Sequence, residues 1–420
     1  MKIVHFADAH IDISQSGKVD PITGIPLRVQ DFLRSLDVIV DTAITEKADL
    51  VLFAGDAYRD RTPLPTYQRE WEKRVLRLSQ AKIPTILLTG NHDMPKSSTK
   101  AHALEEFETL QIPYIHIASK VKMLTPHELG LPIQVITLPW LYRSRTDMYR
   151  QTTPNALNDL DAQMEDAVSE VLNSFLTRRD EALPTILLAH AAITGASIGD
   201  ERELMLGGDF QLPPGLVKDP RLDYVALGHI HKAQNLNGPG PDQDNKANNH
   251  PPVIYPGSIE RVNFGERSDA KYFVIADVGV GVTNIEWRKL VNVRPFIKCV
   301  IKIDPATHPT DQILANLPPR EEINGAVVHI HVDFPPGTQG GIDEGRVIDH
   351  CSNAFDLRFT TRMQREVRSR LAQDENTTAM SDLDLFGRYL DEHKNTAYDR
   401  EKLTNLAMTI LAGDAGGEAE

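Results

Sequence analysis

The chain has 420 residues, of which 41% are hydrophobic and 25% charged, the composition of an ordinary globular protein rather than a disordered or collagen-like one. At roughly 150 residues per domain, this length predicts two or three domains. The formal net charge of −14 excludes a general electrostatic attraction to nucleic acid. A polyphosphate substrate would therefore need local cations, and bound divalent metal ions are the obvious candidates.

Targeting and redox features are few in this sequence. Its apolar runs are all shorter than the roughly 18 residues of a membrane-spanning helix, and the apolar stretch in the opening MKIVHFAD is too short for a signal peptide. The two cysteines, Cys299 and Cys351, fall on apolar faces of predicted elements, which favours core thiols over a disulfide. We therefore expect a cytoplasmic protein without membrane contacts.

Residues 1–280 alternate short β-rich runs with amphipathic helical stretches, the pattern of strands joined by crossover helices. Between the first two strands, apolar residues from Phe32 to Ile44 recur at helical spacing. The predicted strands are 3–6, 50–54, 85–89, 134–138, 185–189, 224–227 and 272–276, and the predicted helices lie near 32–44, 67–78 and 161–176. The sequence therefore predicts an α/β fold for this part.

After residue 285 the pattern changes to a shorter α/β alternation and then to helices. The predicted strands in this part are 296–303, 326–334 and 355–361, with helices over 311–317 and 343–354. From residue 381 onward, leucines recur at helical spacing. We expect three segments, namely a first domain over 1–285, a smaller α/β domain over 290–365 and C-terminal helices over 380–412.

Polar residues that can bind metals follow several of the predicted strands. Because the carboxyl ends of strands in open α/β sheets carry ligand-binding loops, these residues are expected to converge on one site. Imidazole, carboxylate and amide oxygen together suit Mn, Fe or Zn better than a thiolate-held structural zinc. Each motif alone is a weak signal, but the ordered set is a strong one. The motifs are Asp8-Ala9-His10, Gly55-Asp56, Gly90-Asn91-His92-Asp93, His190 and Gly228-His229-Ile230-His231.

In this order the motifs resemble those of the calcineurin-like metallophosphoesterases, and the flanking residues look like the SbcD family of nuclease subunits, which act in double-strand-break repair. The flanking matches are Gly195-Ala196, Glu201-Arg202, Leu206-Gly207-Gly208-Asp209, Tyr255-Pro256-Gly257-Ser258-Ile259-Glu260-Arg261 and Phe264-Gly265-Glu266. The resemblance covers about residues 1–280. It implies a metallophosphoesterase β-sandwich flanked by helices, with a smaller α/β capping domain and a C-terminal helical tail.

The resemblance also implies two divalent metal ions, with Mn²⁺ the first expectation and Mg²⁺, Fe²⁺ or Zn²⁺ as alternatives. One ion would bind Asp8, His10, Asp56 and His231, and the other Asp56, Asn91, His190 and His229, with Asp56 shared. His92 is expected to face the scissile phosphate and to protonate the leaving oxygen, with Asp93 orienting it.

One position departs from the family pattern. Many members carry a second histidine three residues after the Gly-Asp motif, where this chain has Arg59. An arginine can bind a phosphate but does not exchange a proton at neutral pH, so the balance of exonuclease and endonuclease activity is open. The His329 and His331 pair copies a ligand spacing, but Val328, Ile330 and Val332 form the core face of that strand. We therefore expect both histidines on a solvated face.

Basic residues near the motifs form a candidate positive rim for the DNA backbone, although each one alone is equally well explained as a solvated surface charge. They are Arg59, Arg61, Lys96, Arg143, Lys232 and Arg261.

The leading hypothesis is a metal-dependent DNA exonuclease and endonuclease subunit in DNA end processing and double-strand-break repair. By resemblance, it would form a homodimer and bind an SbcC-type coiled-coil ATPase through its C-terminal helices. Two alternatives stay open. One is a stand-alone metallophosphoesterase acting on small nucleotides or phosphoproteins, and the other is a weakly catalytic scaffold for DNA ends.

Overall fold

The computed structural model describes residues 1–13, 18–95, 100–141, 154–199, 210–241, 243, 249–304, 307–335, 341–363, 381–392 and 399–413. These residues form two compact units. The described parts of Met1–Val300, Leu314–His331 and Asp343–Thr360 make up the first, and those of Ile301–Ile313, Val332–Ile342 and Thr361–Glu420 the second. The domain boundaries expected at 285–290 and 365–380 stay predictions.

The helices and strands of the described residues follow one another closely along the chain. In the first part they are β1 (Lys2–Phe6), α1 (Leu27–Thr45), β2 (Leu50–Phe53), α2 (Pro65–Gln80), β3 (Thr85–Leu88), α3 (Glu105–Leu110), β4 (Ile115–Ala118), β5 (Lys122–Leu124), α4 (Pro126–Leu129), β6 (Gln134–Leu138), α5 (Pro154–Arg178), β7 (Thr185–His190), β8 (Ala192–Ile193), β9 (Gln211–Leu212), α6 (Pro214–Val217), β10 (Tyr224–Gly228), β11 (Gln234–Asn235) and β12 (Val253–Tyr255). Then follow a 3₁₀ turn (Phe264–Glu266), β13 (Tyr272–Gly279), β14 (Val282–Lys289), β15 (Phe296–Lys302), α7 (Pro309–Asn316), α8 (Arg320–Ile323), β16 (Val327–Phe334), α9 (Glu344–His350), β17 (Asp356–Met363), α10 (Asp382–Glu392) and α11 (Arg400–Gly413).

Two six-stranded mixed sheets form the body of the first unit, in the orders β14-β13-β1-β2-β3-β4 and β11-β12-β10-β7-β6-β5. Strands β1 to β4 are parallel, with Val4 opposite Val51, whereas β13 joins β1 in antiparallel register, with Val4 opposite Ile275. In the second sheet, β6, β7, β10 and β12 are parallel. Leu52 of the first sheet and Leu188 of the second lie in one buried cluster between the sheets. The predicted β-sandwich is confirmed.

Helices cover the outer faces of this sandwich. In α1 and α2, Phe32, Leu36 and Trp71 are buried against the outer face of the first sheet, in one cluster with Phe53. In α5, Leu172 is buried against the second sheet in a separate cluster. Burying each such side chain contributes about 1.5–3 kcal/mol, so the amphipathic periodicity of the sequence directly selects which helix faces pack.

A smaller sheet has the order β15-β16-β17. In the part of this sheet that belongs to the first unit, Phe296 and Val327 are buried in one cluster. Phe264 packs against that cluster. Within β16, Val328 and Ile330 are fully buried, whereas His329 and His331 are half-buried and share contacts with the Thr360 hydroxyl at 3.1 and 2.9 Å. These two histidines therefore belong to the sheet and not to the cluster of strand-end motifs, although their face is half-buried and not fully solvated as predicted.

In the second unit, helices α10 and α11 pack against each other. Helix α11 leaves Leu406 and Ile410 exposed, at 57% and 59% of their surface. Among the described helices, none combines the length and apolar composition that crossing a bilayer requires.

A pair of glutamates outside the strand-end motifs makes the stability of the fold depend on pH. Glu106 of α3 forms a side-chain hydrogen bond with Glu72 of α2, and burial together with the Glu72 charge raises the pKa of Glu106 to about 7. The folded chain thus holds a proton that the unfolded chain releases near pH 4.5. Stability from this group is complete below pH 4.5 and is lost as pH rises through about 7.

We expect Glu106→Gln to raise the melting temperature at pH 8 and to leave it nearly unchanged at pH 4.5, because an amide donates to Glu72 without a titrating proton. Thermal unfolding monitored by circular dichroism across this range measures the effect. Glu108→Gln, on the exposed side of the same helix, serves as the control. Parallel stability curves for wild type and Glu106→Gln would contradict the prediction.

Candidate metal centre

The predicted ligands stand where the chain leaves the parallel strands. Asp8 and Asp56 lie two and three residues beyond β1 and β2, His190 ends β7, and His229 directly follows β10. The backbone turns sharply at these points, since Asp8, His10, Asp56 and His229 all have φ between 40° and 100°. Such left-handed conformations cost about 1–3 kcal/mol each in non-glycine residues and cluster at functional sites.

The glycines of the motifs permit close approach between the loops. A Cβ atom on Gly90 would lie 2.1 Å from Oδ1 of Asp56, and one on Gly228 would lie 2.1 Å from the carbonyl oxygen of Ala54. Both distances are far below van der Waals contact, so any side chain at either position would displace the loop after β2. The Gly-Asn-His-Asp and Gly-His-Ile-His motifs therefore need glycine for steric reasons.

A first group of potential ligands consists of Asp8, His10 and His231, whose ligand atoms lie within 4.8 Å of one another. Nε2 of His10 is 3.1 Å from Nε2 of His231, and Asp8 and His10 are almost wholly buried. Burial lowers the pKa of His10 well below its ordinary value, so its imidazole is neutral and able to coordinate a metal.

A second group consists of Asp8, Asp56 and His190. Nδ1 of His190 donates to the carbonyl oxygen of Ala54 at 2.7 Å, which leaves Nε2 to face Asn91 Oδ1 at 2.9 Å and Asp56 Oδ2 at 3.5 Å. Three electron-pair donors thus converge on one point, an arrangement that requires a cation or a proton.

His229 extends this second group, with its Nδ1 3.1 Å from the same oxygen of Asn91. The Asp56 carboxylate reaches the first group as well, since its Oδ2 lies 3.9 Å from Nε2 of His10. All seven predicted ligands are therefore brought together, and their donor set fits a two-metal site. Which of these ligands binds which ion, with Asp56 shared, stays a prediction. The two groups that can each hold an ion have Asp8 in common, so their geometry does not assign the ligands.

The electrostatics of this centre are dominated by buried opposite charges. Burial alone would raise the pKa of Asp56, but the charge of His190 and its hydrogen bond to this carboxylate hold the pKa well below its ordinary value. Burial opposes a charge on His190, yet the Asp56 carboxylate raises the pKa of His190 to about 9. Without a metal, a proton on His190 balances the carboxylates, and a bound cation would take over that role.

His92 adjoins the ligands without joining either group. Its backbone N–H donates to Asp56 Oδ1 at 2.8 Å, and its ring lies edge-on to His10 with 5.2 Å between centroids. Nδ1 of His92 donates to the carbonyl oxygen of Arg59 at 2.6 Å, so Nε2 is the ring nitrogen left for proton exchange. The backbone carbonyl group of Arg59, and not its side chain, therefore orients His92.

The structure corrects the role expected of Asp93. Its buried carboxylate accepts from the backbone N–H groups of Gly90, Asp56 and Ala57 at 2.8–2.9 Å. Asp93 therefore ties the loop after β2 to the loop after β3, and the orientation of His92 comes from the Arg59 carbonyl group instead.

Four of the six basic residues predicted to contact DNA lie among the described residues. Arg59 is exposed, and Arg61 and Lys232 are half-buried, whereas Lys96 and Arg143 lie outside the described residues. The Arg261 guanidinium donates to the carbonyl oxygens of Glu266, Arg294 and Asp269 at 2.8–3.1 Å. The Arg261 guanidinium is therefore engaged inside the protein, and its contact with DNA stays a prediction.

The side chains of Trp140 and Glu266 contact ligand imidazoles but had no predicted role. Trp140, just beyond β6, packs over the His229 ring with 4.7 Å between centroids. Glu266 accepts a hydrogen bond from Nδ1 of His231 at 2.9 Å. Glu266 lies within Phe264-Gly265-Glu266, one of the motifs that resemble the family. Trp140 follows the buried strand β6 by two residues, so its position at a strand end could have identified it as a site residue.

Comparison with known proteins agrees with this geometry. The sequence model of a family described as calcineurin-like phosphoesterase matches residues 1–233, more than half of the chain. The chain belongs to this family. Its buried Asp and His clusters fit the dimetal site typical of metallophosphoesterases. The recognition made from the motifs is thus confirmed.

Individual relatives were found at both sequence and structure level. The SbcD subunit of the nuclease SbcCD from Escherichia coli K12 is 26% identical over 432 aligned positions, which cover 99% of each chain, and the O157:H7 protein gives the same values. Among solved structures, this metallophosphoesterase is similar to TT1561 of Thermus thermophilus (14% identity, TM-score 0.37) and to a dimetal phosphatase from Danio rerio (11%, 0.36). Each alignment covers 68% of this chain and 98% of the other.

Proposed function

We propose that this metallophosphoesterase is a metal-dependent DNA nuclease subunit that hydrolyses phosphodiesters during the processing of DNA ends. The observation that carries the proposal is the extent of its likeness to the SbcD subunits of the SbcCD nucleases. The alignment covers 99% of both chains and so extends past the phosphoesterase match at residue 233 to the small sheet and the C-terminal helices. A phosphoesterase for small substrates has no evident need for these additions.

The residues of the centre have separate roles in the proposed hydrolysis. The seven predicted ligands would hold two divalent ions, Mn²⁺ being our first choice, and these ions would supply positive charge to the phosphate and to the attacking water. His92, oriented through Nδ1, holds a proton at Nε2 and delivers it to the leaving oxygen. Asp93 keeps the two ligand loops together.

Substrate and partner binding are proposed for separate surfaces. Arg59, Arg61 and Lys232 are the described basic residues proposed to contact the DNA backbone, which would give a modest dependence of binding on salt. The exposed apolar residues of α11 are proposed to bind an SbcC-type coiled-coil ATPase. A homodimer of the subunit is part of the same proposal.

Comparing two substrates tests the proposal. Purified protein reconstituted with Mn²⁺ is expected to degrade linear duplex DNA as well as bis-p-nitrophenyl phosphate, with faster DNA cleavage when the ATPase partner is added. Activity confined to the aryl phosphodiester would support a stand-alone phosphoesterase and overturn the nuclease assignment. Binding of DNA ends without cleavage, even with the partner, would support a scaffold.

A further inference from the structure

A buried network of charged and polar side chains lies directly behind His231. Oε1 of Glu266 accepts from Nδ1 of His231 at 2.9 Å, so the ring presents Nε2 toward His10. Because a histidine binds a metal only through a nitrogen that carries a lone pair, this contact selects the tautomer that can coordinate.

The second oxygen of Glu266 is held just as firmly. Oε2 accepts from Ser258 Oγ at 3.0 Å and from the backbone N–H of Val262 at 3.2 Å, and it forms a short ion pair with Nζ of Lys271. Glu266 and Lys271 each expose only 1% of their side chains. A charged pair buried this deeply is costly unless its geometry is complete, so the carboxylate has little freedom to move.

Lys271 also contacts His231, through the backbone of that residue. Its Nζ donates to the backbone carbonyl oxygen of His231 at 3.3 Å and to Ser258 Oγ at 2.7 Å. Gly257 keeps this segment close, because a Cβ atom there would lie 2.5 Å from the same carbonyl oxygen. Both the ring and the backbone of His231 are therefore fixed by one buried unit, which we call the His231 support (Ser258, Glu266 and Lys271).

We propose that Glu266, locked in place by Lys271, is a positioning residue that sets the tautomer and orientation of His231 and thereby the affinity of one metal ion. A different ligand histidine, His190, is oriented by the backbone carbonyl group of Ala54. Loss of the Glu266 carboxylate is thus expected to weaken one of two ions selectively. The inference rests on the proposed metal site and is independent of whether DNA is the substrate.

Glu266→Gln is the sharpest substitution because it keeps the shape and changes only the donor pattern. Both oxygens of Glu266 accept hydrogen bonds, whereas glutamine must turn its NH₂ group either toward the N–H of His231 or toward Lys271 and Val262. Calorimetric titration of the metal-free protein with Mn²⁺ is expected to show one of two ions binding about 10–100-fold more weakly, with the other unchanged.

Glu260→Gln is the matched control. Glu260 is equally buried and lies in the same segment, but it forms an ion pair with Arg28 at 3.4 Å and accepts from the backbone N–H groups of Arg261 and Arg294, with no contact to a ligand among these. Its replacement is expected to lower the melting temperature of the metal-free protein without changing either Mn²⁺ affinity. An equal loss of affinity in both variants would overturn the positioning role.

The double variant Glu266→Gln/Lys271→Met keeps the test decisive if the single variant folds poorly. Removing the ammonium group relieves the larger of the two clashes with the glutamine NH₂, the other being with the backbone N–H of Val262. The oxygen of the glutamine can then accept from His231 again, and the weakened site is expected to recover part of its affinity. Failure to bind Mn²⁺ at any site in the wild type would count against the metal centre itself. If the wild type binds two Mn²⁺ ions and Glu266→Gln weakens both equally, or neither, the inference about Glu266 is rejected while the metal centre itself stands.

Discussion

Replacing Asp56 with asparagine is expected to abolish binding of at least one metal ion and to slow phosphodiester hydrolysis by about a thousandfold or more. The Asp56 carboxylate lies 3.5 Å from Nε2 of His190 and 3.9 Å from Nε2 of His10, within reach of both ligand groups. Asparagine keeps the shape but removes the charge that would neutralise the two cations proposed to bind there. Several kcal/mol of transition-state stabilisation depend on those cations, and about 4 kcal/mol corresponds to a thousandfold in rate.

Elemental analysis of the purified variant and turnover of bis-p-nitrophenyl phosphate with Mn²⁺ measure both effects without assuming a DNA substrate. Asp49→Asn is the matched control, because Asp49 is an exposed carboxylate that accepts from the backbone N–H of Lys2, away from the ligands. It should retain its metal and full activity. An Asp56→Asn protein with two bound ions and near-normal turnover would refute the shared role of this carboxylate.

Replacing His92 with alanine should lower kcat about 10²–10⁴-fold while leaving the metal content unchanged. His92 stands beside the ligand groups, and its Nδ1 is committed to the Arg59 carbonyl group, so Nε2 is the atom that can exchange a proton. Removing a positioned general acid costs a factor of this size. Metal binding should survive because the contact of His92 with Asp56 is made by the backbone N–H.

Arg59→Ala provides the comparison for His92. The variant keeps the carbonyl group that orients the ring, and the backbone N–H of residue 59 still donates to Asp12 at 2.5 Å. On the aryl phosphodiester it should therefore behave like the wild type. If Arg59→Ala lost as much activity as His92→Ala, the arginine side chain would have to take part in the reaction.

The secondary structure around the site was largely predictable because its signals are local. The helices α1 and α2 and the strands β1, β2 and β3 follow the apolar periodicity of the chain within a few residues. Strand β14 was missed: its sequence VTNIEWRK mixes polar and apolar residues, and it is stabilised by pairing with β13 along its whole length together with partial burial of Ile285 and Trp287. The place of β13 beside β1 joins segments from opposite ends of the first 280 residues, which no local pattern specifies.

The sequence by itself determined the α/β order, the strand ends that carry the ligands and, through motif order, the metallophosphoesterase family. Only the tertiary structure decided the partners of individual polar groups. It showed that His92 is oriented by a backbone carbonyl group, that Arg261 is used internally and that Glu266 and Lys271 support His231. The physical reason is range: periodicity and turn chemistry act between near neighbours, whereas a hydrogen bond depends on placing two groups from distant segments within about 3 Å.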